Sequence, residues 1–135
     1  MRIGFGSDED APVVTALRDH LVGDGHDVRI LALGVPWPEV GRAVGDEVAA
    51  GGVDLGVVWC WTGTGVCMAA NKVPGVRAAL CADGPTADGA RRWNDANVLA
   101  LSIRSTTPAV AAEIADAFLA GVVDPGEAHL IDGLG

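Results

Sequence analysis

Cys60-Trp61-Thr62-Gly63-Thr64-Gly65-Val66-Cys67 is the stretch on which the reading of the whole chain turns. Before it, Leu55 to Trp59 is a short apolar run; after it, Val66 to Asn71 has helical period. A strand that passes through a glycine turn into a helix is half of a βα unit. The turn lets backbone N–H groups point inward at a helix N-terminus, where they hold an anion or an oxygen on which negative charge develops. The stretch does not fit Gly-x-Gly-x-x-Gly, because Cys67 and Met68 follow where the third glycine is needed, and it lacks the lysine of a P-loop. Nucleotide binding is therefore disfavoured. Cys60 ends the strand beside these amides, a setting that favours the thiolate, with a small buried hydrophobe as the alternative reading.

The same alternation extends outward in both directions. Arg2 to Phe5, Val28 to Leu33, Arg77 to Cys81 and Val98 to Ser102 join Leu55 to Trp59 as strands. Pro12 to Val22, Pro38 to Ala50, Thr86 to Trp93 and Pro108 to Leu119 join Val66 to Asn71 as alanine-rich helices, several opened by a proline in the first turn. Strictly alternating strands and helices predict a doubly wound α/β fold: a five-stranded parallel sheet with helices on both faces, a Rossmann-like three-layer sandwich. Ligands of such sheets bind beyond the carboxyl ends of the strands, so the loops there are the place to look. At 135 residues the chain is expected to form one domain, with a tail from about residue 120 to 135 that packs on its own body or on a partner subunit.

Composition narrows the partners. A net charge of −9 repels phosphodiester backbones and anionic lipid, which argues against nucleic acid and membrane. Nothing resembles a signal peptide or a transmembrane span, so a cytoplasmic location is expected. Cys60, Cys67 and Cys81 lack metal-ligand spacing, and no metal site or disulfide framework is expected; Cys67 and Cys81 fall within a helix and a strand and read as packing.

Two further loops draw attention. Asp8, Glu9 and Asp10 stand in a row before Pro12; they read equally as helix-capping carboxylates and as a site, with Asp8 the candidate acid/base or hydroxyl-binding group. Trp93-Asn94-Asp95-Ala96-Asn97 leads into the fifth strand, and its amides read equally as turn residues and as partners for sugar hydroxyls. Trp37, Trp61 and Trp93 all lie in or next to loops and together suggest an aromatic-lined pocket, with core packing as the alternative.

These segments in this order, with Ile3 to Asp8, Ala69-Ala70-Asn71-Lys72, Gly75-Val76-Arg77-Ala78 and Asn94 to Ala100, resemble the type B ribose-5-phosphate isomerase and galactose-6-phosphate isomerase family. The resemblance implies a homodimer or homotetramer with its site at a subunit interface, a small-molecule substrate, and aldose–ketose isomerisation through an enediol without metal or cofactor. It implies Cys60 as the base, Thr62 as its assistant, the amides of Gly63, Thr64 and Gly65 around the enediolate oxygen, and Asp8 as a catalytic group. Substrate contacts are expected from Glu9, Trp61, Asn71, Trp93 and Asn94. Two positions depart from the family: Glu9 and Trp93 stand where histidines are usual. The family's C-terminal arginines, which serve the phosphate, are also missing, since no Lys or Arg follows Arg104. A desolvated phosphate dianion needs cations, so the expected substrate is non-phosphorylated or an atypical hydroxy-carbonyl compound.

Two other functions compete with an isomerase. A carbohydrate-like binding protein would keep the pocket without catalysis. A covalent Cys60 nucleophile is weaker, because His20, His26 and His129 are not placed to activate it.

Overall fold

The computed structural model describes residues 1–135. Five strands, β1 (Arg2–Ser7), β2 (Asp27–Leu33), β3 (Leu55–Cys60), β4 (Ala78–Leu80) and β5 (Val98–Ser102), alternate with α1 (Pro12–Gly23), α2 (Trp37–Ala49), α3 (Thr64–Asn71), α4 (Gly84–Asn94) and α5 (Pro108–Ala120). The sheet runs β2-β1-β3-β5-β4 with every pair parallel, so the expected doubly wound α/β architecture is what the chain adopts.

Side chains along a strand alternate between faces, and β3 shows how this builds two cores. Leu55, Val57 and Trp59 join Ile3, Phe5, Leu99 and Leu101 under α1, α4 and α5, where Leu17, Ile114 and Phe118 are also buried. Val58 and Cys60 face the other way, with Val98 and Ala100, and meet Val40 and Val44 of α2 and Val66 and Ala70 of α3. Each large side chain removed from water in this way contributes about 1.5–3 kcal/mol. The second layer is thin because its residues are small. At Gly41 a Cβ would lie 2.5 Å from the Ala69 Cβ and 2.7 Å from the Ala70 nitrogen, so only glycine lets α2 press this closely on α3.

Some element ends differ from the sequence reading, each for a local reason. The edge strand β4 is shorter than Arg77 to Cys81, because the Arg77 N–H goes to the Asn97 side-chain oxygen at 2.7 Å. The acidic run before α1 does not cap it. Ala11 is the N-cap, Pro12 has no N–H to satisfy, and Val14 and Thr15 donate to the Ala11 carbonyl, while Asp10 only accepts from the Thr15 hydroxyl.

The tail packs along its own α4. Its short helix α6 (Ala128–Ile131) contacts α4, the Asp124 N–H donates to the Arg92 carbonyl at 2.8 Å, and Leu130, Ile131 and Leu134 share a depression with Trp93. No helix is long and apolar enough to cross a membrane.

Candidate active site

In a parallel sheet all the strand-to-helix loops emerge at one edge, which here gathers Asp8, Trp61 to Gly63 and Ile103 to Thr107. Backbone bonds tie these loops together. Asp8 N–H donates to the Trp59 carbonyl at 3.3 Å, Ile103 N–H to the Cys60 carbonyl at 3.0 Å and Arg104 N–H to the Trp61 carbonyl at 2.9 Å. The Ser102 hydroxyl donates to that Trp61 carbonyl at 3.0 Å and accepts the Ser105 N–H. The β3 and β5 loops are thus held as one unit.

Cys60 closes β3 and is only 4% exposed, sitting on the α2/α3 side beneath the start of α3. Gly63 is the N-cap of α3 with φ 79°, a left-handed conformation that disfavours any residue with a Cβ. Space is equally restrictive, for a Cβ there would stand 2.6 Å from Leu80 Cδ1 and 2.9 Å from the Leu101 backbone. With the turn held this way, the N–H groups from Thr62 to Val66 have no backbone acceptor, as befits the first turn of a helix. They form a row of donors in the turn after Cys60, whose side chain packs with Val66 of the same helix. The Thr62 and Thr64 hydroxyls share a hydrogen bond at 2.8 Å over this turn.

Asp8 follows β1 at the same edge, next to the end of β3. One of its carboxylate oxygens, Oδ1, is buried without a partner. Burial, and then the charge of Glu9, hold the carboxyl above its ordinary value of 3.8. Such a group keeps its proton to higher pH than a free aspartate and can pass it on. The Ser7 hydroxyl, hydrogen-bonded both ways to the Glu9 backbone, fixes the turn, and Glu9 itself is exposed.

Of the remaining expected residues, Asn71 lines a depression with Thr64 from the far end of α3, while Trp93 and Asn94 lie elsewhere within one chain. Helices in a βα unit run back against the strands, so a residue at a helix C-terminus stands at the far edge of the sheet. Asn71 ends the eight-residue α3 and Asn94 the eleven-residue α4, which puts them ~12 and ~16 Å from the loops by helix rise. Asn71 spends its side chain on Ala78, donating to the carbonyl at 3.0 Å and accepting the N–H at 2.8 Å. Trp93 and Asn94 line depressions with the tail and α4 instead of with Cys60.

The three loop tryptophans do not form one aromatic pocket. Trp61 is 53% exposed at the active edge, Trp37 lies against Gly65, and Trp93 covers Gly89. Within one chain Trp61 and Trp93 stand apart because α4 carries Trp93 back from the strand-to-helix edge.

Two residues that the sequence did not mark join the edge. Ser102 bridges two loops, and Arg104 is exposed beside Trp61 with no carboxylate within 4.0 Å. Their place directly after the fifth strand was the available signal. Of the other two cysteines, burial pushes Cys81 up to about 11 and Cys67 up as well, which agrees with packing roles.

Known proteins share this fold. The chain is 36% identical over 130 residues to galactose-6-phosphate isomerase subunit LacB of Clostridium acetobutylicum, covering 93% of this chain and 75% of that protein. It is 39% identical over 90 residues to ribose-5-phosphate isomerase B of Escherichia coli, covering 67% of this chain and 60% of that one. Ribose-5-phosphate isomerase B of Clostridium thermocellum superposes with a TM-score of 0.93 at 34% identity, over 100% of this chain and 95% of that chain. The Mycoplasma genitalium ribose-5-phosphate isomerase B with bound ribulose-5-phosphate superposes with a TM-score of 0.88 at 33% identity, over 98% and 93%. The Ribose/Galactose Isomerase family matches residues 3–131, nearly the whole chain, and the chain belongs to that family.

Proposed function

We propose that the protein is an aldose–ketose isomerase that works through an enediol, with Cys60 as the carbon base. The observation that carries this reading is the row of unpaired N–H groups from Thr62 to Val66 in the turn that follows Cys60, whose side chain packs in one cluster with Val66. A thiolate there takes the proton from the carbon next to a carbonyl, the amides of Gly63, Thr64 and Gly65 stabilise the oxygen that gains charge, and the proton returns to the neighbouring carbon. Thr62 holds the turn through Thr64. Asp8, with its raised affinity for a proton, moves the hydroxyl proton between the two oxygens.

The electrostatics of the edge favour a non-phosphorylated or atypical hydroxy-carbonyl substrate. Asp8, Glu9 and Asp10 follow β1 at this edge and Arg104 follows β5, so three carboxylates stand against one cation and a dianion meets more repulsion than attraction within the chain. Trp61, exposed at the same edge, supplies a flat apolar face for a sugar ring, with Glu9 accepting from its hydroxyls.

The active unit in this reading is a homodimer, or a tetramer of such pairs, located in the cytoplasm, and the chemistry needs no metal or cofactor. Trp93 and Asn94 stand at the far edge of their own chain, so their contact with substrate belongs to a second copy. Met68, Leu80, Trp61 and Trp93, all exposed, offer apolar surface for that copy.

The test is proton–deuterium exchange by NMR in deuterated buffer, with the protein and its Cys60→Ala variant and a panel of free aldoses, ketoses and their phosphates. Deuterium incorporated at carbon, and lost in the variant, supports the reading and names the substrate class. Efficient turnover of ribose 5-phosphate would overturn the substrate assignment alone. No exchange with any compound, alongside saturable quenching of tryptophan fluorescence, would replace the enzyme by a binding protein.

A further inference from the structure

Away from the active edge the fold brings together three side chains from distant parts of the chain, two of them, His20 and Asp116, 96 positions apart. α1 and α5 both run back from that edge over the same face of the sheet, with Leu17 and Leu21 of one and Ile114 and Phe118 of the other buried in a common core. His20 lies eight residues beyond Pro12 and Asp116 eight beyond Pro108, so the two stand level, ~12 Å along their helices. Asp24, the C-cap of α1, follows His20 by one turn and joins them. His20 Nε2 is 2.8 Å from Asp116 Oδ1 and 3.3 Å from Asp24 Oδ2, and the three groups offer ligand atoms that all lie within 4.8 Å of one another.

An imidazole nitrogen and two carboxylate oxygens are a zinc donor set, with bonds of about 2.0–2.2 Å that place tetrahedral neighbours ~3.3–3.6 Å apart. The separation of His20 from Asp24 already falls in that range, and that from Asp116 reaches it through a small side-chain rotation. The charge suits a dication as well. Neither carboxylate has a Lys or Arg within 4.0 Å, and Asp24 stands at the C-terminus of α1, the negative end of the helix dipole. Magnesium and calcium, which prefer oxygen donors, fit the imidazole less well. The side chains of His20, Asp24 and Asp116 are 31%, 50% and 54% exposed, so an ion reaches them from solvent and keeps water in its open position.

We propose that His20, Asp24 and Asp116 bind one zinc ion, which ties the end of α1 to α5. The ion takes the place of the hydrogen bond between His20 and Asp116 and brings Asp24 into the same joint. Its role is to hold together two helices whose other shared contacts are the apolar ones beneath. The site shares no residue with the Cys60 loop and does not depend on the isomerase reading.

The 3 histidines give separate imidazole signals in a long-range nitrogen-15 spectrum, so the test reads which of them takes the metal. Zinc chloride is titrated into the full-length protein after treatment with a chelator, with magnesium chloride as the control ion. The expected result is a saturable change at His20, complete at one ion per chain, and a urea midpoint that rises with zinc and falls back when chelator is added. The affinity is expected to drop at least tenfold in Asp24→Asn and in Asp116→Asn, and the gain in midpoint to vanish in His20→Gln. None of the three residues is buried, and an otherwise unchanged amide spectrum verifies that the variants fold. Zinc that leaves His20 unmoved, a change confined to His26 or His129, equal affinity in the variants, or magnesium acting as strongly would overturn the site. Zinc at His20 with no gain in midpoint would overturn the joint between the helices. Deuterium exchange dependent on Cys60 is expected to persist in His20→Gln, which separates the two assignments.

Discussion

Asn71 holds Ala78 by both of its backbone groups, acting from the end of α3 as a neighbour to the first residue of the edge strand β4. A sheet edge normally leaves such groups to solvent. Here one side chain satisfies both and links α3, which carries the glycine turn at its other end, to the sheet. Asn71→Ala is expected to lower stability by about 1–2 kcal/mol, read as a lower urea midpoint, while Asn71→Asp keeps the acceptor, loses the donor and falls between. A substrate contact at Asn71 would instead appear as a change in activity with an unchanged midpoint.

Gly63→Ala tests the turn itself. The left-handed backbone and the collision with Leu80 and the Leu101 backbone act together, so a loss of about 2 kcal/mol or more is expected in thermal unfolding. Any folded fraction is expected to show at least a hundredfold lower exchange activity, because the amide row is displaced. Full activity in a stable Gly63→Ala protein would remove the amides from the mechanism.

Asp8→Asn separates function from stability. The Asp8 carboxyl is raised in the folded protein, so ionising it weighs against folding, and the penalty develops as pH rises from below 3.8 through the folded value. The amide variant is therefore expected to be more stable than the natural protein at pH 7 and to match it near pH 3. Exchange activity is expected to fall at least a hundredfold. A variant that is less stable at pH 7 would contradict the environment described for this carboxyl.

How far these roles could be read in advance differs from residue to residue. The strands β3 and β5 were legible as apolar runs because both of their faces are buried, and Cys60 to Gly65 stood out through composition alone. Asn71 was legible as a polar residue on a helix, but its partner Ala78 is seven residues on, and nothing in the sequence says that their backbones meet. Trp37 and Trp93 were recognised as lying near loops, yet they reach different surfaces, since a helix start and a helix end stand at opposite edges. The acidic run failed as a cap because Ala11, one residue closer, already accepts the first helical bonds.

His20 gives a prediction away from the site. Its Nε2 lies 2.8 Å from Asp116 of α5 and 3.3 Å from Asp24, and the Asp116 hydrogen bond raises its affinity for a proton above the ordinary 6.5. The stabilisation is fully present below that ordinary value and is lost as pH rises through the folded one. His20→Gln is expected to reduce stability at pH 5.5, within about 1 kcal/mol because the groups are partly exposed, and to make no difference at pH 9. Urea unfolding at the two pH values checks the sign, and a gap that widens with pH would refute the pairing.

The strand order carries a consequence for how the chain comes together during synthesis. β4 touches the sheet only through β5, which follows it in the chain and inserts between it and β3. As the polypeptide leaves the ribosome, residues 78–80 therefore emerge before the one strand that receives them, whereas β1, β2 and β3 can pair as soon as they appear. Closure of the sheet waits for Val98 to Ser102, so the step that inserts β5 also completes the edge against which Gly63 and its amides rest.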